Sequence, residues 1–208
     1  MKSFPRLGTE RLVLRAPDLE DAPAVQRLAD EAEVAAGLLT MPHPYPPGAA
    51  EQWIADAAES LERGDGLHGA IVRRSDGAFL GAVGLLLEPG HARAELGYWL
   101  GKPHWWQGYA TEAARALVRN GFEAEGLNRI FAHHFTRNPA SGRVLQKLGM
   151  THEGRRRQHT LKDGEFLDME AYGMLRSEFE AGVHPLDRRT TREAGLPDRF
   201  RGDKLATR

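Results

Sequence analysis

Apolar residues recur along this chain with two periods, and the changes of period divide it into elements. Leu12 and Leu14 alternate with polar neighbours over residues 11–15, the twofold period of a half-buried strand. Leu19, Ala22, Val25 and Leu28 then fall at helical spacing over 18–30, with Asp18 placed to cap the helix. Residues 35–48 carry Pro42, Pro44, Pro46 and Pro47 and read as loop. Trp53, Ala57 and Leu61, four apart, make 49–63 helical. Two β-rich runs, 68–73 and 79–87, flank Ser75-Asp76-Gly77, which predicts a hairpin. Residues 93–100 add a third antiparallel strand.

Helical spacing returns over 111–123, where Ala114, Leu117, Val118, Gly121 and Phe122 share one face. Residues 128–136 form a strand. Asn138 is an N-cap with Pro139 at the first helical position, and the helix it starts ends at Gly149. Runs 151–157 and 165–175 pair around Lys162-Asp163-Gly164. The order β-α-α-β-β-β-α-β-α-β-β predicts an α/β domain over residues 1–180, a mixed sheet sandwiched by helices. Residues 181–208 form a polar tail. From Gly182 onward it carries seven Lys/Arg against four Asp/Glu, a net of +3, and too few apolar anchors for a core of its own. The tail is read as an arm on a partner subunit, a basic segment that draws in an acidic acceptor, or plain disorder.

Composition narrows the function classes. The chain is 41% apolar and 27% charged, an ordinary soluble balance, with a net charge of -1 that argues against general nucleic-acid binding. No apolar run approaches the ~20 residues of a membrane span, and no signal-peptide pattern opens the chain, so a cytoplasmic address is expected. There is no cysteine. Disulfides, thiolate metal sites and a cysteine nucleophile are thereby excluded. His133 and His134 are adjacent on a strand and point to opposite faces, so they cannot easily share a metal ion. Trp105 and Trp106 are read as partly buried supports for the loop that follows, with lining of the acceptor side as the alternative.

That loop carries the chemistry. Strand 93–100 runs through a Gly/Pro-bearing turn into Trp105-Trp106-Gln107-Gly108-Tyr109-Ala110-Thr111-Glu112 at the head of a helix. Small residues there leave the first amides uncovered, and unpaired N–H groups at the positive end of a helix dipole hold anions such as a pyrophosphate. Neither G-x-x-x-x-G-K-[ST] nor G-x-G-x-x-G occurs, so the two better-known phosphate loops are excluded.

The Gln107-Gly108-Tyr109-Ala110-Thr111-Glu112-Ala113 run is followed by Asn138-Pro139-Ala140-Ser141 and by Val144-Leu145-x-x-Leu148-Gly149-Met150. With Glu10-Arg11-Leu12-x-Leu14-Arg15 and Met41-Pro42-His43-Pro44-Tyr45 before Trp53-Ile54, this spacing resembles the GNAT superfamily of acyl-CoA N-acyltransferases, in its ribosomal-protein N-acetyltransferase (Rim-type) branch, over residues 8–176. Trp105 stands where the superfamily usually has Arg or Gln, which is read as a mark of the branch. The resemblance implies a mostly antiparallel sheet whose strands 93–100 and 128–136 splay apart around the thioester of acetyl-CoA. It implies an acetyl-CoA-dependent N-acetyltransferase without a metal, acting on an amine acceptor, with a homodimer as an option.

Site residues follow from the same resemblance. Glu95 is placed to take a proton from the amine through water, Ser141 to face the thioester sulfur, and Asn138 to bond the pantetheine arm. The arm pairs with the strand edge at Tyr98, Trp99 and Leu100, and an N–H between Leu96 and Trp99 meets the thioester oxygen. The pyrophosphate falls on Trp106, Gln107, Gly108, Tyr109, Ala110 and Thr111. Arg143 and Lys147 lie four apart beside Ser141, where a shared CoA phosphate would relieve their repulsion. Met41, His43, Tyr45 and Trp53 wall the acceptor side. A peptide N-terminal α-amine is the expected acceptor. A small-molecule acetyltransferase, acting on an aminoglycoside or an amino acid, and a catalytically silent acyl-CoA-binding module are the alternatives.

Overall fold

The computed structural model describes residues 4–182 of the 208. The tail expected over 181–208 lies, from residue 183 on, outside the described residues. Strand β1 (Leu7–Gly8) precedes β2 (Leu12–Arg15), and helices α1 (Ala22–Ala29), α2 (Ala32–Ala36) and α3 (Ala49–Arg63) follow. Strands β3 (Gly66–Arg73), β4 (Phe79–Glu88) and β5 (Arg93–Leu100) form a meander that leads into α4 (Tyr109–Glu123). Strand β6 (Arg129–Phe135), α5 (Pro139–Leu148), the hairpin β7 (Thr151–Lys162) and β8 (Glu165–Leu175), and α6 (Arg176–Glu180) complete the order.

All eight strands join one sheet in the order β1-β2-β3-β4-β5-β6-β8-β7. Every neighbouring pair is antiparallel except β5–β6. Helices α4 and α5 pack on one face, where Leu117, Val118, Phe122 and Leu145 meet Leu14, Ile71, Leu85, Ile130 and Met174. Helices α1 and α3 cover the other face over β3 and β4, closing a second cluster around Val25, Ile54, Ala70, Val72 and Phe79.

The predicted elements are present, with differences at their ends. The 18–30 helix opens as a 3-10 turn (Leu19–Asp21) because Asp18 accepts the Glu20 N–H at 2.9 Å while Asp21 returns a carboxylate to the Asp18 N–H, also at 2.9 Å. Arg15 fixes Asp21 with two bonds of 2.7 Å. Helix α4 begins two residues before the predicted 111. Strand β7 runs on to Lys162 because a bulge between Arg156 and Thr160, with Gln158 at a positive φ of 47°, carries pairing past the predicted end.

One register decides where chemistry can occur. Strands β5 and β6 pair at Arg93↔Arg129, Ala94↔Ile130 and Glu95↔Phe131, and pairing then stops. Beyond that rung β5 stays with β4 as far as Gly81↔Leu100, and β6 stays with β8 as far as Phe135↔Met169. The two strands therefore diverge, leaving the β5 edge from Leu96 onward with backbone groups the sheet does not pair.

Candidate active site

Glu95 sits on the last paired rung, at the apex of the divergence, with its side chain 39% exposed. Its Oε1 lies 3.1 Å from Nδ1 of His133, whose side chain is 10% exposed and whose ring meets Phe131 edge-on. His134 points the opposite way, to the α5 face, where its Nδ1 bonds the Phe135 carbonyl at 2.8 Å. Among the described residues no cluster of three His, Asp or Glu side chains has the geometry of a metal site. The histidine pair is divided between two faces, and only His133 belongs to the site.

Tyr98 points to the α4–α5 face. Its hydroxyl lies 3.1 Å from the Ser141 carbonyl and 2.9 Å from Ser141 Oγ. The phenol has one proton; once that is donated to the carbonyl, the phenolic oxygen accepts from the Ser141 hydroxyl. Burial is the dominant influence on Tyr98 and pushes its pKa up, so it stays protonated. Asn138 caps α5 as expected, accepting the Ser141 N–H at 3.2 Å, so Asn138 and Ser141 are held together by the same turn.

The loop before α4 has the geometry of an anion cradle. Gly108 is the N-cap at φ 83°, no side chain caps the helix, and the first helical bond runs from Glu112 N–H to Gly108 O at 3.1 Å. The amides of Tyr109, Ala110 and Thr111 thus precede the hydrogen-bond ladder. The loop is braced from behind: the Trp105 indole donates to Leu100 O at 2.7 Å, and Gln107 Nε2 to Pro103 O at 3.0 Å. Trp105 is half-buried, as expected of a support. Trp106 is not: φ of 63° turns it outward, 77% exposed, with the Arg143 guanidinium 5.4 Å from its ring. Trp106 and Arg143, both expected at the cofactor, are brought together by this contact. Lys147 lies exposed one turn further along α5.

Arg11 was quoted only as part of a motif, yet it organises this cradle. Its guanidinium donates to Gln107 O at 2.9 Å, pairs with Glu112 at 2.7 Å and lies 4.6 Å from the Tyr109 ring centroid. Burial alone would raise the Glu112 carboxyl; hydrogen bonds from Thr9 and from the Arg11 backbone and side chain outweigh it and hold the group below the usual glutamate range. A carboxylate in the first turn of α4, beside the uncovered amides, is thereby neutralised locally.

The expected acceptor wall is only partly assembled from the named residues. Tyr45 is a core residue, its N–H on Asp30 at 2.6 Å and its hydroxyl on Ala49 O at 3.3 Å, so it supports the wall from beneath. His43 is exposed beside Asp30 at 3.9 Å. Met41 and Trp53 are half-buried against the second cluster, where Trp99 also packs, 5.9 Å from Phe79. Lys162, near the β7–β8 turn, reaches across to donate to Met41 O at 3.1 Å, tying that hairpin to the 35–48 loop. Leu100 is buried and its carbonyl already accepts from Trp105, so the free edge of β5 narrows to residues 96–99. His133, Arg11 and Lys162 were missed because each acts through a partner far away in sequence.

No described helix is long and apolar enough to cross a membrane. Residues 11–151 match the family model described as "Acetyltransferase (GNAT) domain". The chain is 35% identical over 176 residues to the uncharacterized N-acetyltransferase YoaA of Bacillus subtilis, covering 83% of this chain and 98% of that protein. It is 35% identical over 82 residues to the ribosomal-protein-serine acetyltransferase of Escherichia coli, covering 39% and 43% of the two chains. In fold it is similar to Mycobacterium smegmatis RimJ in complex with CoA-disulfide, with a TM-score of 0.76, 24% identity, and coverage of 84% of this chain and 89% of that one. The splayed sheet, the braced cradle and these matches agree: the chain belongs to the GNAT family of N-acetyltransferases, and its relatives include ribosomal-protein acetyltransferases.

Proposed function

We propose that the protein moves the acetyl group of acetyl-CoA to the α-amine of a peptide N-terminus by direct attack in a ternary complex. The observation that carries this reading is the placement of two proton-handling pairs, Glu95–His133 and Tyr98–Ser141, on opposite faces of the point where β5 and β6 part. A thioester lying in the splay would meet a base from one side and a proton donor from the other. The unpaired β5 edge at 96–99 supplies N–H groups for the thioester oxygen. The cradle at 107–111 receives the pyrophosphate, with Asn138 and Arg143 beside the arm.

The step balances without an acyl-enzyme. The amine nitrogen forms a bond to the acetyl carbon, and the carbon–sulfur bond breaks. The amine proton goes to Glu95 through water, the thiolate takes a proton from Ser141, and Ser141 regains one from solvent as Glu95 gives up its own. A thiolate is a better acceptor than a phenol oxygen, so the Ser141 proton leaves Tyr98 when the sulfur becomes charged. A single carboxylate at the apex suits an α-amine, whose pKa of about 7.7–8.0 leaves much of it neutral near pH 7.5; a lysine near 10.4 would demand a stronger base. The name of one relative, a ribosomal-protein-serine acetyltransferase, supports a protein acceptor. Thiol release from acetyl-CoA, measured against peptides with free N-termini, amino acids, polyamines and aminoglycosides, tests the reading. Turnover of the small amines with none of the peptides would refute it.

Two further expectations follow from the contacts. Ser141→Ala should lower kcat by about tenfold and Tyr98→Phe by less, since CoA thiolate is a fair leaving group and needs only modest help. Equal rates for Ser141→Ala and wild type would place the proton donor elsewhere. Arg11→Met should weaken CoA binding about tenfold, because it leaves the Glu112 charge beside the cradle, and adding Glu112→Gln should recover most of the loss. The Arg11–Glu112 contact also predicts a stability signature. The folded carboxyl titrates below its unfolded value, so its contribution is present at neutral pH and lost as the pH falls through the carboxylate range. Thermal unfolding of Arg11→Met across pH 3–7 should lack part of that acid loss.

A further inference from the structure

Helix α5 brings Asn138 and Ser141 to the splay, and next to Ser141 it carries a glycine, Gly142. Glycine inside a helix is destabilising relative to alanine, because it loses more backbone freedom on folding. The φ of Gly142 is not among the positive ones, so no left-handed turn asks for it. Its reason is proximity. A Cβ built there would lie 2.7 Å from Nε2 and 3.0 Å from Cε1 of His134, too close for either to stay in place. The helix sits on the edge of an imidazole, and the glycine is the notch that receives it.

That imidazole is held from several sides. His134 is 8% exposed. Its Nδ1 donates to Phe135 O at 2.8 Å, and its Nε2, turned toward Gly142, has no hydrogen-bond partner. The same Phe135 carbonyl accepts the Asn138 N–H at 2.8 Å. One acceptor thus ties the ring to the N-cap of α5. Tyr172 backs the ring from β8 at 5.6 Å between centroids, and its hydroxyl accepts from Gln146 Nε2 at 3.3 Å, one turn beyond Gly142. His152 closes the row, edge-on to Tyr172 at 5.1 Å and bonded to Glu170 at 2.7 Å. These side chains line a groove of about 490 Å³ between α5 and the β7–β8 hairpin, so on this side the helix is seated through His134 and Tyr172.

We propose that His134 is a positioning residue for the leaving-group donor. Seated in the Gly142 notch, its imidazole sets the height of α5 above β6 and so holds Ser141 Oγ where the CoA sulfur arrives. Ser141 precedes the notch by one residue, and the Tyr98 hydroxyl marks its place, 2.9 Å from Oγ. Lifting the helix at Gly142 carries Ser141 away from Tyr98 and from the splay, while the cradle at the head of α4 stays where it is. This role rests on the reading above in one respect, that Ser141 faces the sulfur; the acceptor does not enter it.

The bound coenzyme supplies the readout. A hydroxyl that donates to a thiolate favours the charged form and lowers the thiol pKa. The measurement is a pH titration of thiolate absorbance with CoA bound to the full chain and no acceptor present. Ser141→Ala should raise the pKa of the bound thiol by about one unit, a tenfold change in preference for the thiolate. Gly142→Ala adds a methyl from the helix side, and His134→Phe brings a longer ring from the strand side. Each should raise the thiol by a similar amount, with CoA affinity at neutral pH within about threefold of wild type. Adding His134→Val to Gly142→Ala removes the ring that the methyl strikes and should return the thiol to its wild-type value. In a Ser141→Ala background Gly142→Ala should add nothing further. If one of the two displacing variants does not fold, the other decides. A wild-type thiol in Gly142→Ala and His134→Phe overturns the proposal, as does a rise in Gly142→Ala that survives His134→Val. A rise that persists undiminished on Ser141→Ala overturns it too, since the notch would then act without the hydroxyl. An unshifted thiol in Ser141→Ala refutes the donor role given to Ser141 above, and the positioning role falls with it. Failure of the peptide acceptor would leave all of these values unchanged.

Discussion

Gly108→Val is expected to abolish the thermal stabilisation that acetyl-CoA confers. A ligand at a hundred times its Kd stabilises the native state by about 2.7 kcal/mol, which for a domain of this size raises Tm by about 5–10 °C. Gly108 holds φ at 83°, a region that a β-branched residue adopts only with strain. A Cβ there would also lie 3.4 Å from Arg11 Nη2, so the side chain would fill the space over the amides and press on the brace behind them. The variant should lose at least about a hundredfold in CoA affinity, whereas its own folding stability should fall by only the ~1–3 kcal/mol that such a backbone outlier costs. Calorimetry of CoA binding, with the melting curve of the free variant as control, separates the two effects. Full affinity in Gly108→Val would remove the pyrophosphate from the 107–111 cradle.

That cradle was legible in the sequence because it is local. A strand, a glycine and a helix start within a few residues specify unpaired amides whatever the rest of the chain does. Asn138, Pro139 and Gly149 marked both ends of α5 for the same reason. The splay between β5 and β6 was implied by family resemblance, and its physical cause is a competition between partners. Each strand is paired further along with its antiparallel neighbour than with the other, an outcome no single segment encodes. Pairs such as Tyr98–Ser141 and Glu95–His133, 43 and 38 residues apart, were invisible as pairs although three of their four members had been singled out. His133 was read only as half of a metal candidate and set aside, because adjacency in sequence says nothing about which neighbour a side chain meets across a sheet. The short elements β1, α2 and α6 carry too few residues to show a period. Trp106 shows the opposite failure. Its residue type suggested burial, and a positive φ overruled it.

Glu95→Gln is expected to lower kcat by about a hundredfold with acetyl-CoA affinity nearly intact. The glutamine keeps the volume and the rung at Phe131 but cannot take up a proton, so the loss is confined to the proton relay, for which a factor of 10²–10⁴ is ordinary. The proposed reading places the acetyl-CoA contacts on the other side of the splay, at Tyr98, Ser141 and the cradle, which is why affinity should not follow. Wild-type activity should rise with pH as the acceptor deprotonates, with its midpoint near pH 8 for an α-amine and well above it for a lysine. Glu95→Gln should approach wild type as the pH rises, because an amine that is already neutral needs less help from a base. His133 adds a second handle on the same atom. His133→Gln retains a donor for the carboxylate and should keep most of the rate, whereas His133→Ala leaves Glu95 free to turn and should cost about tenfold. Turnover by Glu95→Gln equal to wild type at neutral pH would show that bulk water removes the proton and that the apex of the splay positions the thioester without serving as its base.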